Sequence, residues 1–202
     1  MKLYYSPGAS SLAPHIVLEE SGLCYDAVLA STKTHQLTDG TDYYTINSKG
    51  QVPLLELDSG ERLTEGPVIV QYIADLVPDK KLAPAYGTTD RYRLQEWLNY
   101  ITSELHKNIG MLFNPALPEE GKVVIRARAK SRLQWMDAQL AGKSYLMGDE
   151  FSIADPYLFT ISRWTRLTGV DTTEMKNLQA FAARMAARPS VLAAMKAEDL
   201  PT

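Results

Sequence analysis

The 202-residue chain holds a single cysteine, Cys24, and three histidines, at positions 15, 35 and 106. One thiol excludes an internal disulfide and a cysteine-rich metal site, and the histidines lack metal-ligand spacing, so no metal is expected. Cys24, next to Leu23, reads as a small buried hydrophobe rather than a nucleophile. Basic excess is also missing: 21 Lys and Arg stand against 24 Asp and Glu, a net charge of -3. With the positive residues scattered, there is no footprint for nucleic acid, and none is expected as a partner. No run approaches the roughly 18 apolar residues of a spanning helix, so no membrane partner is expected. The turn in "MKLYYSPG" comes too early for the apolar core of a secretory signal, and neither a phosphate-binding glycine loop nor a hydrolase elbow is present. What remains is a cytoplasmic globular chain, whose 45% hydrophobic and 22% charged residues suffice for one or two domains.

The order of patterns supplies the domain reading. Residues 2–5 form a short strand, followed by the turn "SPGASS" and an apolar helix that Gly22 terminates. A second β segment covers 25–29, and a polar, turn-rich stretch over 31–50 holds at most one helical turn near 42–46. Leu54–Leu57, the turn Asp58-Ser59-Gly60 and Arg62-Leu63 form a hairpin. Pro67 opens a helix running to about Val77. The stretch 77–90, with two prolines and a glycine, reads as a linker. Beyond it the periods are helical, over about 89–109, 119–141, 153–168, 175–187 and 190–197. The expected organisation is an α/β domain over 1–78, a linker over 79–89 and an all-helical domain over 90–202.

Three stretches could carry chemistry. At Ser10 and Ser11, one hydroxyl can cap the first helix while the other faces a ligand, or both serve as caps; a helix start also suits an anion. At Val52-Pro53, chemistry alone favours a trans bond; a cis bond would turn the Val52 N–H and C=O outward to pair with a peptide-like ligand. Further on, Glu65 and Gly66 precede a helix whose free amides suit a carboxylate, or are a solvated side chain and a cap. On the long helix, Leu94, Leu98, Ile101, Leu105 and Ile109 share one face at 100° per residue and read as core. Asn99, Ser103 and His106 line the opposite face, with Lys107 at its edge; such a stripe is either the solvated side or half of a binding site. His15 reads as structural, and Ser152 with Asp155 as a capping-box variant that nucleates a helix.

Taken together, "MKLYYSPGASSLAPHI", "NSKGQVPLLELDSGERLTEGPVIVQYIAD", "WLNYITSELHK" and "FSIADPYLF" resemble a bacterial glutathione transferase of the beta class. The four separated blocks stand in the right order and spacing, and the match extends over nearly the whole chain. The resemblance implies a thioredoxin-like N-terminal domain that binds glutathione and an all-helical C-terminal domain that completes a hydrophobic substrate pocket. It further implies a cytosolic homodimer with its active site between the domains, glutathione as co-substrate and no metal.

Residue by residue, Val52 resembles the position before a cis-proline, Pro53, that pairs with the cysteinyl backbone of glutathione. Glu65 and Gly66 resemble the pair receiving the γ-glutamyl end. Asn99, Ser103, His106 and Lys107 match positions that reach the tripeptide or its sulfur. Two departures stand out. Ser10 occupies a position where the class typically carries cysteine, and His35 one where lysine often faces the glycyl carboxylate. Ser10, Ser11 and His106 are thus the candidates that favour the glutathione thiolate. Tyr5, Leu112, Phe113, Trp164 and Leu167 are the candidate walls of the pocket for a small hydrophobic electrophile. The reading is conjugation of glutathione in detoxification; the alternatives are a glutathione-dependent peroxidase and a non-catalytic binding or regulatory protein.

Overall fold

Leu3 and Tyr4, adjacent in the first strand β1 (Lys2–Tyr5), are both buried, which requires cover on both sheet faces. The computed structural model, which describes residues 1–201, supplies that cover by placing β1 inside a four-stranded sheet. The order is β2-β1-β3-β4, with β2 (Asp26–Leu29) parallel to β1 and β3 (Leu54–Glu56) antiparallel to it. The expected hairpin joins β3 to β4 (Arg62–Thr64), with Leu55 opposite Leu63. Helices α1 (Leu12–Ser21) and α2 (Gly66–Leu76) pack against the sheet. Gly22 ends α1 in the left-handed conformation, φ 73°, as the sequence predicts. Cys24 departs from expectation: it is exposed, because the chain there has left α1 and is entering the solvent-facing edge strand β2.

The chain divides into two compact units, and the division does not follow the expected domain limits. Met1–Leu82 joins the stretch from Ala187 onward, while Ala83–Ala186 forms the second unit. The last helix, α8 (Pro189–Ala197), therefore packs on α1 rather than among the other C-terminal helices. The cause lies in α1, which buries Leu12, Ala13, Pro14, His15, Ile16, Val17 and Leu18. A helix apolar nearly all round needs more than a sheet and one neighbour, and α8 brings Val191, Ala194 and Met195 to it. Buried His15 Nδ1 lies 2.8 Å from Glu198 Oε1, and Glu198 Oε2 accepts from the Gly8 amide at 2.9 Å. Glu20 pairs with Arg188 and Ser190. His15 is thus structural, as read.

In the second unit, Leu94, Leu98, Ile101, Leu105 and Ile109 are all buried, as their spacing predicts. The expected uninterrupted helix is not formed. α3 (Thr89–Tyr100) passes into a π-helical segment, Ile101–His106, before α4 (Lys107–Met111). Thr102 Oγ1 donates to the Leu98 carbonyl at 2.8 Å and Asn108 Nδ2 to the Glu104 carbonyl at 2.6 Å. Side chains that occupy main-chain carbonyls compete with the regular ladder, and such π segments recur at functional sites. α5 (Glu119–Gln139), α6 (Ala154–Thr168) and α7 (Lys176–Ala186) complete this unit.

The Ser152–Asp155 start of α6 forms half of a capping box. Asp155 accepts from the Ser152 amide at 2.7 Å and the Leu146 amide at 2.8 Å. The Ser152 hydroxyl donates to that same carboxylate at 2.9 Å, while the Asp155 amide bonds to the Ser152 carbonyl at 3.0 Å. Among the described residues, no helix is long and apolar enough to cross a membrane.

Candidate functional site

Neither serine of the opening turn caps α1, contrary to the sequence expectation. The Ser11 hydroxyl donates to the Ser6 carbonyl at 3.2 Å and accepts from the Ser6 amide at 3.1 Å. With 0% exposure, it closes the turn on itself; Ser11 holds the N-cap position without a side-chain cap bond. The Ser10 hydroxyl points elsewhere, donating to the Val52 carbonyl at 3.3 Å, and Ser10 keeps 8% exposure. Two neighbouring residues of one type therefore do different work.

The Val52-Pro53 bond is cis, and its position is set by the loop before it. Tyr43 and Asn47, both buried, converge on one acceptor: the Tyr43 hydroxyl and Asn47 Nδ2 donate to the Gln51 carbonyl at 3.0 and 2.7 Å. Burial pushes the Tyr43 phenol up to about 12. Val52 packs against the cluster of Tyr4, Ala30, Tyr43 and Leu54. Gly50, at φ 61°, has no room for a side chain, since a Cβ there would stand 2.5 Å from Tyr44 Cε1. Its carbonyl lies 3.1 Å from His35 Nδ1, and the His35 ring packs on Tyr44 with centroids 4.7 Å apart. His35 is thus placed at this loop by its own contacts.

Across from Pro53 stands Gly66, where a Cβ would meet Pro53 Cγ at 3.8 Å. Glu65 precedes it at φ 69° and ψ 110° as the N-cap of α2. That backbone region is sparsely populated by residues with a side chain, and such outliers cluster where ligands are clamped. The carboxylate is not simply solvated: Lys49 Nζ lies 2.6 Å from Glu65 Oε1 and donates to Thr64 Oγ1 at 3.0 Å. Lys49, Tyr43 and Asn47 were not singled out from sequence, although all but Tyr43 fall within the block "NSKGQVP". Tyr5 is half-buried with its ring 5.4 Å from that of His15, and burial raises its phenol pKa.

In the helical unit the π segment splits the expected polar stripe. Asn99, Ser103 and Lys107 are exposed, whereas His106 is half-buried. Asn99 borders an open depression along α3 with Tyr92, Gln95 and Glu96. His106 Nδ1 lies 2.7 Å from the Tyr157 hydroxyl, and the His106 ring meets Trp164 edge-on at 5.0 Å. Phe113 meets Trp164 edge-on at 5.5 Å. His106, Trp164 and Phe113 are therefore brought together. Leu112 is buried and Leu167 is 76% exposed, and neither joins those ring contacts.

The sequence profile of the glutathione S-transferase N-terminal domain matches residues 1–75, and that of the C-terminal domain matches residues 105–189. The chain is 46% identical over 200 residues to glutathione S-transferase GstA of Escherichia coli O157:H7, covering 99% of this chain and 100% of that one. Among solved structures, a bacterial beta-class glutathione S-transferase of Sphingomonas chungbukensis superposes with a TM-score of 0.96 at 47% identity, covering 100% of both chains. A sphingomonad glutathione S-transferase complexed with glutathione gives 0.95 at 45% identity, again over 100% of both. With its mixed four-stranded sheet unit, its helical unit and these relationships along its whole length, the chain belongs to the glutathione S-transferase family, in the bacterial beta class.

Proposed function

We propose that this glutathione transferase binds glutathione, favours its thiolate with the Ser10 hydroxyl and directs the sulfur onto small hydrophobic electrophiles. The observation that carries the reading is the place of the Ser10 hydroxyl, whose one proton rests on the Val52 carbonyl at 3.3 Å and, in this proposal, turns to the sulfur when glutathione takes that carbonyl. A serine there supplies a donor without a thiol, so the site favours an anion yet forms no mixed disulfide. Ser11, whose hydroxyl already bonds Ser6, shapes the turn. Glu65 and Gly66 receive the γ-glutamyl end, with Lys49 paired to the Glu65 carboxylate, and His35 serves the glycyl carboxylate. Asn99, Ser103 and Lys107 add polar contacts to the tripeptide, and His106 is a second donor toward the sulfur.

A free thiol with a pKa of about 8.5 is mostly protonated at neutral pH. Hydrogen bonds to the charged form lower that value. The thiol proton leaves to solvent, the thiolate forms a C–S bond to the electrophilic carbon, and the leaving group departs with the bonding electrons. Tyr5, Phe113 and Trp164, with Leu112 and Leu167, are the proposed walls for that apolar partner. The protein is proposed to act as a cytoplasmic homodimer in detoxification. Exposed apolar side chains such as Val68 and Leu76 on α2 are available to a second copy.

Calorimetric titration with glutathione tests the binding step, and turnover of a chlorodinitrobenzene tests the chemistry. Binding below millimolar concentration together with conjugate formation is the expected result. Absence of glutathione binding at millimolar concentration would overturn the reading.

A further inference from the structure

We infer that Tyr157 is a positioning residue that fixes the tautomer of His106 and thereby makes the ring's other nitrogen a hydrogen-bond donor. The inference rests on the proposed role of His106 toward the glutathione sulfur. Tyr157, on α6, is 2% exposed, and its hydroxyl oxygen stands 2.7 Å from His106 Nδ1. The same oxygen lies 3.3 Å from Thr102 Oγ1, whose own proton has a nearer acceptor in the Leu98 carbonyl at 2.8 Å.

A phenol has one proton to give at neutral pH, and the nearer acceptor is the imidazole nitrogen. With Nδ1 accepting, the proton of a neutral ring sits on Nε2. The ring is also held in place, meeting Tyr157 at 85° and Trp164 at 75°. A Cβ on Gly110 would stand 3.8 Å from His106 Cδ2, so the backbone of α4 closes another side. An Nε2–H favours a thiolate, whereas an Nε2 lone pair repels one.

Thr102 gives the arrangement a second state. If His106 takes a proton, Nδ1–H donates to the Tyr157 oxygen, and the phenolic proton turns to Thr102 Oγ1.

Long-range ¹⁵N–¹H correlation spectra of the full chain, labelled at histidine and recorded without glutathione, test this directly; loss of a signal in His106→Asn identifies the residue. The expected result is the Nε2–H tautomer for neutral His106, a mixture of tautomers in Tyr157→Phe and no change in Thr102→Val. In turnover, Tyr157→Phe should lower kcat/KM by about tenfold, the worth of one hydrogen bond. An Nδ1–H tautomer in the unmodified protein overturns the inference even if Tyr157→Phe fails to fold, and so does an unchanged tautomer in that variant. Because the spectra contain no glutathione, failure of glutathione binding and failure of this inference are separate results.

Discussion

The loop from Tyr43 to Gly66 and the helical stretch from Asn99 to Lys107 both carry groups proposed to meet glutathione, and they are built in different ways. The loop offers mainly backbone, with the Glu65 carboxylate beside it: next to the Val52 peptide, buried Tyr43 and Asn47 hold the Gln51 carbonyl from behind. The helical stretch offers side chains, among which His106 is held by a side-chain partner, Tyr157, within its own unit. On that proposal, a loop that works mainly through its backbone is broken from beneath, by buried supports such as Tyr43 and Asn47. A helix that works through side chains is broken at the functional residue itself or at its one support.

The loop half should be the more fragile of the two. Gly50→Ala forces a side chain onto a left-handed backbone and into the Tyr44 ring. The expected loss of stability is about 3 kcal/mol, combining roughly 1–2 for the backbone and 1–3 for overpacking, read from chemical denaturation. Ser103→Ala, at an exposed helical position, should cost less than about 0.5 kcal/mol by the same measure. Equal losses would remove the distinction between the two regions.

A pH scan sharpens the same point. The Tyr43 pKa is raised by burial to about 12 from 10.0, so the native state holds this proton where the unfolded chain releases it. Its contribution is fully present below pH 10 and is lost as pH rises toward 12, by up to about 3 kcal/mol. Burial also raises Tyr4, Tyr5 and Tyr25, which add to the alkaline loss in the same unit. Tyr43→Phe should therefore be less stable at neutral pH yet show a shallower decline between pH 10 and 12. Parallel stability curves for the two proteins would contradict this assignment.

Two smaller effects separate ligand contact from scaffolding. Glu65→Ala should weaken glutathione binding by about 1–3 kcal/mol, the cost of leaving a charged ligand group poorly paired. Calorimetry giving unchanged affinity would mean that the start of α2 suffices. Lys49→Ala should change stability by less than about 1 kcal/mol, since its pair with Glu65 is roughly half exposed on both sides and screened by solvent. A loss of binding as large as that of Glu65→Ala would make Lys49 a principal ligand group instead.

Legibility from sequence divides along similar lines. The hairpin over Leu54–Thr64, the start of α2 at Gly66-Pro67 and the end of α1 at Gly22 were readable, because proline, glycine and turn residues act locally. The buried face from Leu94 to Ile109 was readable because its spacing survives the π segment. The segment itself was not, because it depends on where Thr102 and Asn108 send their side chains. The packing of α8 on α1 was not legible: nothing in the sequence of α8 says that α1, apolar nearly all round, still needs cover. The serine pair was ambiguous for a related reason. Both are good capping residues, and only the fold of the turn decides that Ser11 faces Ser6 while Ser10 faces Val52. Tyr157 lacked any local signal of its role, since it acts on His106, which only the fold brings to it.

The central claim, that Ser10 stands in for a cysteine as donor to the glutathione thiolate, is tested most directly by the ultraviolet absorbance of bound thiolate as a function of pH. In the unmodified protein the bound thiol should titrate below its free value of about 8.5. Ser10→Ala should move that midpoint upward by about 1–2 units, the equivalent of one hydrogen bond to a charged group at roughly 1.5–3 kcal/mol. Ser11→Ala should shift it less. A midpoint unchanged in Ser10→Ala, with glutathione still bound, would contradict the account.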